Sequence, residues 1–458
     1  MGNVRNRALV LGGGMAGLLT ARVLSESYAE VVVVDRDALA GVREPRRGVP
    51  HGRHAHALLA RGQQILEELF PGLERELVDS GIPAGDLAGN LRWYFNGRRL
   101  APAKTGLTSV SATRPVLEAH VRARVSALPN VRFLEEHAIR GIESTPDRSR
   151  VVGATVQAAA EGSAAELIEA DLVVDATGRG SRATVWLEEL GYARPAEERI
   201  KVDLAYTTRH YRLDSDPYGT DLSINPVASP ANPRGAFFPK LADGSSQLSL
   251  TGILGDHPPT DPDGFLAFVK TLAAPEIYEA VRTAEPLDDP VTFRYPASVR
   301  RRYEKLTRFP EALLVIGDGV CSFNPVYGQG MTVAALEAYA LRDHLRDGDP
   351  RPLAFFRAIS PIIDSPWEIS AGGDLGFPGV EGPRTLKVRM GNAFMAKLHA
   401  AATIDPVVTE AFFRVAGLVD PMPALMRPSV VLRVLRGAKR VAAGQSIVDD
   451  QGSLGRAA

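Results

Sequence analysis

The sequence predicts a mixed α/β protein: a parallel strand–helix–strand domain, a mostly antiparallel β-sheet domain, and a C-terminal helical region. Three observations predict it. Residues 7–35, "RALVLGGGMAGLLTARVLSESYAEVVVVD", run strand, glycine turn, helix, strand. Between about 196 and 300 the pattern changes to alternating strands, with "KVDLAYTTRHYRL" as the clearest case. After residue 345 the pattern is mostly helical, broken at "SPWEISAGGDLGFPGVEGPR".

Composition narrows the function classes. A chain of 458 residues suits two or three domains, and 45% hydrophobic content supports full cores. The net charge of −1 gives no electrostatic footprint for nucleic acid, so no nucleic-acid partner is expected. The one cysteine, Cys321, excludes an intramolecular disulfide and a Cys₄ zinc site. It also excludes a thiol–disulfide flavoreductase, which needs a redox pair. The N-terminus enters a strand without a signal-type cleavage site, and no apolar run approaches the roughly 20 residues of a bilayer span. A soluble, cytoplasmic protein is expected.

In the first turn, Gly12, Gly14 and Gly17 stand in G-x-G-x-x-G spacing between a strand and a helix, and Asp35 ends the next strand. Gly12 allows the tight turn, Gly14 lets backbone amides approach a pyrophosphate, and Gly17 lets the helix pack on the strand. Asp35 can accept from a ribose 2′-hydroxyl and would repel a 2′-phosphate. The fold is therefore Rossmann-like, and NADP is the dinucleotide it suits least. Distant segments choose between FAD and NAD. "DLVVDATGRGSR" is another strand, ending in Asp175 and a turn with Gly178 and Gly180. Thr113 and Pro115 read as N-cap and N1 of a helix carrying Glu118, which would hold Arg114 near the ligand's phosphates. "VIGDGVCSFNPVYGQGMTVAALEA" sets Asp318 at a strand end and restarts as a helix at Gly330 and Met331. A ligand as long as FAD needs contributions from so much of the chain; NAD does not.

Here the chain resembles the aromatic-hydroxylase-type (group A) FAD-dependent monooxygenases. The resemblance covers nearly all of residues 1–345 and rests on the first glycine loop, "DATGRGSR" and "GDGVCSFNPVYGQGM", in the family's order and approximate spacing. Through "RRGVPHGRHAHALLARGQQILEELFPG" it is similar to an actinomycete natural-product tailoring subgroup, which includes polyether epoxidases and the flavin-containing decalin [4+2] cyclases of spirotetronate pathways. The resemblance implies that Asp318 contacts the ribityl or pyrophosphate part of FAD. The loop through Gly328 then passes the flavin, and backbone near Gly330 and Met331 meets the pyrimidine edge at a helix N-terminus. A positive helix end there would stabilise anionic reduced flavin. Many relatives carry Ala-His after the aspartate, where this chain has Gly319 and, further on, Cys321.

The expected cofactor contacts are Gly12, Gly14, Met15, Ala16, Gly17, Asp35, Arg36, Arg53, Arg114, Asp175, Gly178, Asp318, Gly328, Gly330 and Met331. No metal is expected: His51, His54 and His56 have metal-like spacing in "PHGRHAH" but no carboxylate or cysteine beside them, and the resemblance puts the segment at the flavin, with Arg53 and one histidine on its face. The "GRGSR" turn lacks the geometry of a second dinucleotide loop, so NAD(P)H would visit transiently or a flavin reductase would help.

The expected domains are 1–82, 106–195 and 300–345 for the discontinuous FAD-binding domain, 83–105 and 196–299 for the substrate-binding sheet, and 346–458 for the C-terminal helical region. Hairpins are expected at Asp243-Gly244 and Asn96-Gly97. Of Trp93, Tyr94 and Phe95, at least one faces either a cavity or the sheet core. The basic stretch 427–440 is expected to pack as a C-terminal helix with its arginines solvated, not to contact membrane. The leading function is epoxidation or hydroxylation of a bulky apolar polyketide or polyene through a flavin C4a-hydroperoxide, with non-covalent FAD. The alternatives are a redox-neutral [4+2] cyclase with structural FAD and a dehydrogenating flavoenzyme. No side-chain nucleophile is required, so no catalytic residue is named.

Overall fold

Ala8–Leu11, Val31–Val34 and Leu172–Val174 are buried without interruption. Strands with no polar face fit a parallel sheet covered on both sides. In the computed structural model, which describes residues 5–346, 348 and 350–444, they lie in a five-stranded parallel sheet. Its order is Leu313–Val315, Leu172–Asp175, Arg5–Leu11, Tyr28–Val34, Val131–Leu134. Leu11 pairs with Val34 on one side and Asp175 on the other, and Asp175 pairs with Val315. The carboxyl ends of four strands therefore finish level, where open α/β sheets hold their ligands. The helix Met15–Leu24 packs against the helices Arg114–Ser126 and Gly330–Arg346.

The chain divides into two compact units, each built from three stretches: Met1–Ile82, Ala112–Val202 and Tyr295–Ala371 in the first, Pro83–Ser111, Asp203–Arg294 and Gly372–Ala458 in the second. The helical region expected from 346 onward is thus split at Ala371, and its last stretch, 445–458, lies outside the described residues, as do 1–4.

Within the second unit the sheet runs 203–212, Ser246–Gly252, Arg234–Pro239, Ser223–Pro226, Leu91–Phe95, Arg98–Arg99. Its pairings are antiparallel except Ser223–Pro226 with Leu91–Phe95. Asn96 and Gly97 both have positive φ, 49° and 75°, as a type I′ hairpin turn requires. The other expected hairpin turns at Gly244, φ 80°. Successive strand residues alternate faces: Trp93 and Phe95 meet Phe413 and Phe412, while the Tyr94 hydroxyl donates to Glu276 at 2.7 Å. Trp93 also lines a small cleft with Phe413, Arg92 and Arg99.

Two features depart from the sequence reading. The strand-rich middle also contains two helices, Pro262–Val269 and Pro275–Val281, whose Phe265, Phe268 and Ile277 fill the sheet's core. Asp261 caps the first of them by accepting from the Gly264 amide at 2.7 Å. The break expected over 365–384 begins later than its first proline: one helix runs Pro352–Asp374 through Pro361 and Pro366, and the chain leaves helix only between it and Leu386–Ala402. Phe356, Ile359, Ile363, Trp367 and Ala371 form a buried stripe at helical spacing along it. Burying such side chains contributes about 1.5–3 kcal/mol each, which offsets the roughly 3 kcal/mol that an interior proline costs.

Candidate cofactor site

The first turn is fixed by steric exclusion. Gly12 has φ 104°, and a Cβ there would lie 2.7 Å from the Ala176 carbonyl oxygen. A Cβ on Gly17 would lie 1.8 Å from the Gly12 carbonyl oxygen, so only glycine lets this helix start so close to the strand. Gly14 has the opposite character: its Cβ position is open, with only the Arg46 guanidinium at 3.9 Å. Gly14 is also the N-cap of helix Met15–Leu24 and brings no side chain to cap it. The first-turn amides of Met15 and Ala16 therefore lack intrahelical acceptors and face an open approach, the arrangement that receives phosphate.

Asp35 is 8% exposed and does more than end its strand. Its Oδ2 accepts from the Gly13 amide at 2.6 Å and its Oδ1 from the Asp37 amide at 2.9 Å. The Arg46 guanidinium joins Asp35 at 3.4 Å, Asp37 at 3.0 Å and Glu118 at 2.7 Å, and donates to the Gly13 carbonyl at 3.1 Å. Glu118 in turn holds Arg114 at 3.1 Å and Arg122 at 3.4 Å. Burial opposes ionisation of Glu118, but Arg114, Arg46 and Arg122 outweigh it and hold its carboxyl below the usual range. Burial likewise works against the Arg46 charge, and Glu118, Asp35 and Asp37 overcome it. Arg114 is thus held at the first residue of its helix, with Pro115 second.

The three distant segments converge at the carboxyl ends of the strands. Asp175 is fully buried and accepts from the Thr177 amide and hydroxyl at 2.9 and 2.5 Å and from the Ser181 hydroxyl at 2.7 Å. Burial raises its pKa, and these bonds work against the rise. A Cβ on Gly178, φ 70°, would be 4.0 Å from the Asp318 Cβ, one on Gly330 3.8 Å from the Asp318 Oδ1, and one on Gly317 3.0 Å from the Ala16 Cβ. Burial raises the Asp318 pKa, with Arg179, Arg114 and Arg301 opposing. Among the described residues no donor bonds its carboxylate. Between Asp318 and Gly330 the chain is anchored by short 3₁₀ turns and a two-residue strand, Cys321–Ser322, paired with Val299 and Arg300. Gly328 closes the last turn at φ 66°. Gln329 is 1% exposed, and its Oε1 has no partner among the described residues. Open glycine positions, a helix start at Met15 without a side-chain cap and an unbonded carboxylate beside Gly330 fit an elongated dinucleotide such as FAD.

Arg36 and Arg53 are exposed. His51 and His56 pair as rings 5.3 Å apart, and His56 meets the His54 carbonyl at 2.9 Å. Burial, helped by the Arg114 charge, pushes the His56 pKa down to about 3; burial and the Arg53 charge take His54 to about 4. Both rings are neutral at pH 7. Among the described residues no three His, Cys, Asp or Glu side chains converge as a metal site would require. Arg46 escaped the sequence reading; its only signal was the basic pair in "EPRRGVPHG" between two glycine-containing motifs.

Glu337, also unread in the sequence, holds the Asp318 loop. Its Oε2 accepts from the Gly317 amide at 2.6 Å, and its Oε1 is buried with no partner among the described residues. Burial, with a contribution from Asp318, pushes its pKa up to about 8. The unfolded chain ionises this group from about pH 4.5, while the folded protein keeps the proton up to about pH 8. Stability from this group is therefore full below pH 4.5, falls as pH rises through that window, and levels off above it. Glu337→Gln is expected to match the wild type near pH 4.5 and to become the more stable of the two as pH rises. The gap should widen by up to about 1.4 kcal/mol per pH unit. Urea unfolding across the window checks this; parallel curves would show that Glu337 folds ionised.

Comparison with known proteins agrees with this geometry. The FAD binding domain family matches residues 5–347. A Mycobacterium tuberculosis protein, Rv3254, is 34% identical over 452 residues, covering 94% of this chain and 93% of the relative. The monooxygenase CTB7 of Cercospora beticola is 24% identical over 398 residues, 81% of this chain and 87% of that protein. Among solved structures, the flavin-dependent brominase Bmp2 superposes with a TM-score of 0.66 at 14% identity, covering 96% of this chain and 99% of the brominase, which is a likeness of fold.

Proposed function

The chain belongs to the FAD binding domain family of aromatic-hydroxylase-type flavoprotein monooxygenases, and we propose that within it the protein is a natural-product tailoring monooxygenase. It places one oxygen atom on a bulky apolar small molecule, by epoxidation or hydroxylation. Bound FAD, once reduced, supplies the activation of O₂. One oxygen atom goes to the substrate and the other leaves as water, with two electrons and the protons drawn from NAD(P)H directly or through a flavin reductase.

The observation that carries the reading is the helix start at Gly330, open beside the Asp318 carboxylate. Its first-turn amides, including Met331, present a positive helix end where negative charge grows on reduction. A purely structural cofactor has less need of that feature. The name of the related Cercospora beticola monooxygenase supports the same class. In this reading Gly14, Met15 and Ala16 receive the pyrophosphate, Arg114 adds positive charge to it, and Asp35 accepts from the adenosine ribose.

Two experiments test it. The purified protein should be yellow, release FAD intact on denaturation, and transfer ¹⁸O from labelled O₂ into product. An unlabelled isomer formed at an undiminished rate without O₂ would select the redox-neutral [4+2] cyclase instead. Asp318→Ala is expected to weaken FAD retention about tenfold to a hundredfold, since a lost bond involving a charged group costs about 1.5–3 kcal/mol. Asp35→Ala should act similarly from the adenosine end. Wild-type FAD affinity in both variants, measured by fluorescence titration, would displace the cofactor from this site.

A further inference from the structure

The helix Pro428–Ala442 puts its buried side, Val434 and Gly437, toward the body of its own unit. A Cβ on Gly437 would come within 2.7 Å of the Ala401 side chain, on the neighbouring helix Leu386–Ala402. At 3.6 residues per turn, Leu432 lies about 160° around the axis from Val434, and Leu435 about 160° from Gly437. Both leucines therefore project from the outer side, and they are 49% and 47% exposed. Among the described residues, packing accounts for the inner face and leaves the outer leucines without a partner. Arg436, Lys439 and Arg440 share that outer side and are exposed, while Arg433 pairs with Asp405 at 2.9 Å. The neighbouring helix also exposes apolar side chains among cations. Leu386 and Met390 stand one turn apart, 64% and 63% exposed, among Lys387, Arg389 and Lys397. Neither helix contains an aspartate or a glutamate.

We propose that this two-helix surface docks on an anionic lipid bilayer. Leu432, Leu435, Leu386 and Met390 enter the boundary between headgroups and acyl chains, and the lysines and arginines meet the lipid phosphates. Exposed apolar side chains on acid-free basic helices are the composition that seats a helix in the plane of an anionic interface. No helix among the described residues is long and apolar enough to cross a membrane, so the contact is peripheral. A second copy of the chain fits less well, because a twofold contact would set this basic surface against itself. The expectation from sequence, a packed helix with solvated arginines, accounts for Val434, Gly437 and the cations but not for the leucines.

The test is sedimentation of the full-length, FAD-loaded protein with vesicles of phosphatidylglycerol mixed with phosphatidylcholine, and with vesicles of phosphatidylcholine alone. The protein should sediment with the anionic vesicles at low salt, and molar salt should weaken binding at least about tenfold. Leu432→Glu/Leu435→Glu and Arg436→Gln/Lys439→Gln/Arg440→Gln should each weaken it by a similar factor while keeping the FAD content of the wild type. Binding that survives both variants would place the contact elsewhere and overturn the proposal, as would no binding to anionic vesicles at low salt. A dimer in light scattering that the leucine variant dissolves would overturn it in favour of an interface between copies.

Discussion

Gly17→Ala is expected to give a protein that purifies without flavin colour and unfolds at markedly lower denaturant than the wild type. The added Cβ would sit 1.8 Å from the Gly12 carbonyl oxygen, a backbone atom that cannot rotate away. Helix Met15–Leu24 must then lift from its strand, and its first-turn amides leave the position that faces the phosphates. Overpacking a tight site costs about 3 kcal/mol or more when backbone has to move. The fitting control is Gly391→Ala, where the added Cβ meets nothing within 4 Å on an exposed helix. That change should be neutral or stabilise by about 0.5–1 kcal/mol. A Gly17→Ala protein with wild-type FAD content and unfolding midpoint would show that the helix start has slack the structure does not contain.

Arg46→Ala is the second large effect. The Arg46 side chain is 7% exposed and touches three carboxylates, with Glu118 only 4% exposed. Removing it leaves negative charge buried with fewer partners, a loss of about 3–5 kcal/mol for a broken buried pair. Glu118 keeps Arg114 and Arg122, so the lower end of that range is expected. Arg36, ten positions earlier and exposed, should tolerate alanine within about 0.5 kcal/mol. Unfolding midpoints of the two variants check the contrast, and equal midpoints would refute the weight placed on Arg46.

That contrast shows why some of the site could be read from the sequence and some could not. The glycine loop is a local device: strand, turn and helix share a few residues, and their mutual approach forbids a Cβ at Gly12 and Gly17. The Asn96-Gly97 turn is equally local, because both residues must adopt positive φ. Arg46 joins Glu118, seventy-two positions away, and nothing in its neighbourhood specifies that partner. Glu337 looks like any helical glutamate until its helix packs beneath Gly317. The helix that continues through Pro361 and Pro366 before breaking departs from its local sequence for a related reason. Proline announces its local penalty, while the compensating stripe from Phe356 to Ala371 is paid by tertiary burial. The two short helices of the middle region were hidden among strands, although "DPDG" carries the cap and proline that begin the first.

The strand order of the parallel sheet also bears on how the protein is made. Its central strand is Arg5–Leu11, while the edge strand Leu313–Val315 and the loop bearing Asp318 lie far downstream of it in the chain. Until these are made the strand Leu172–Asp175 has one bare edge, and the turn after it lacks the Asp318 segment it will face. The nascent chain must therefore hold a buried-type strand with one edge unpaired through the synthesis of the intervening stretch, a condition that favours slow folding and chaperone contact. The turn after Leu172–Asp175 and the start of the helix at Gly330 can therefore meet one flavin only once the Asp318 segment has been made.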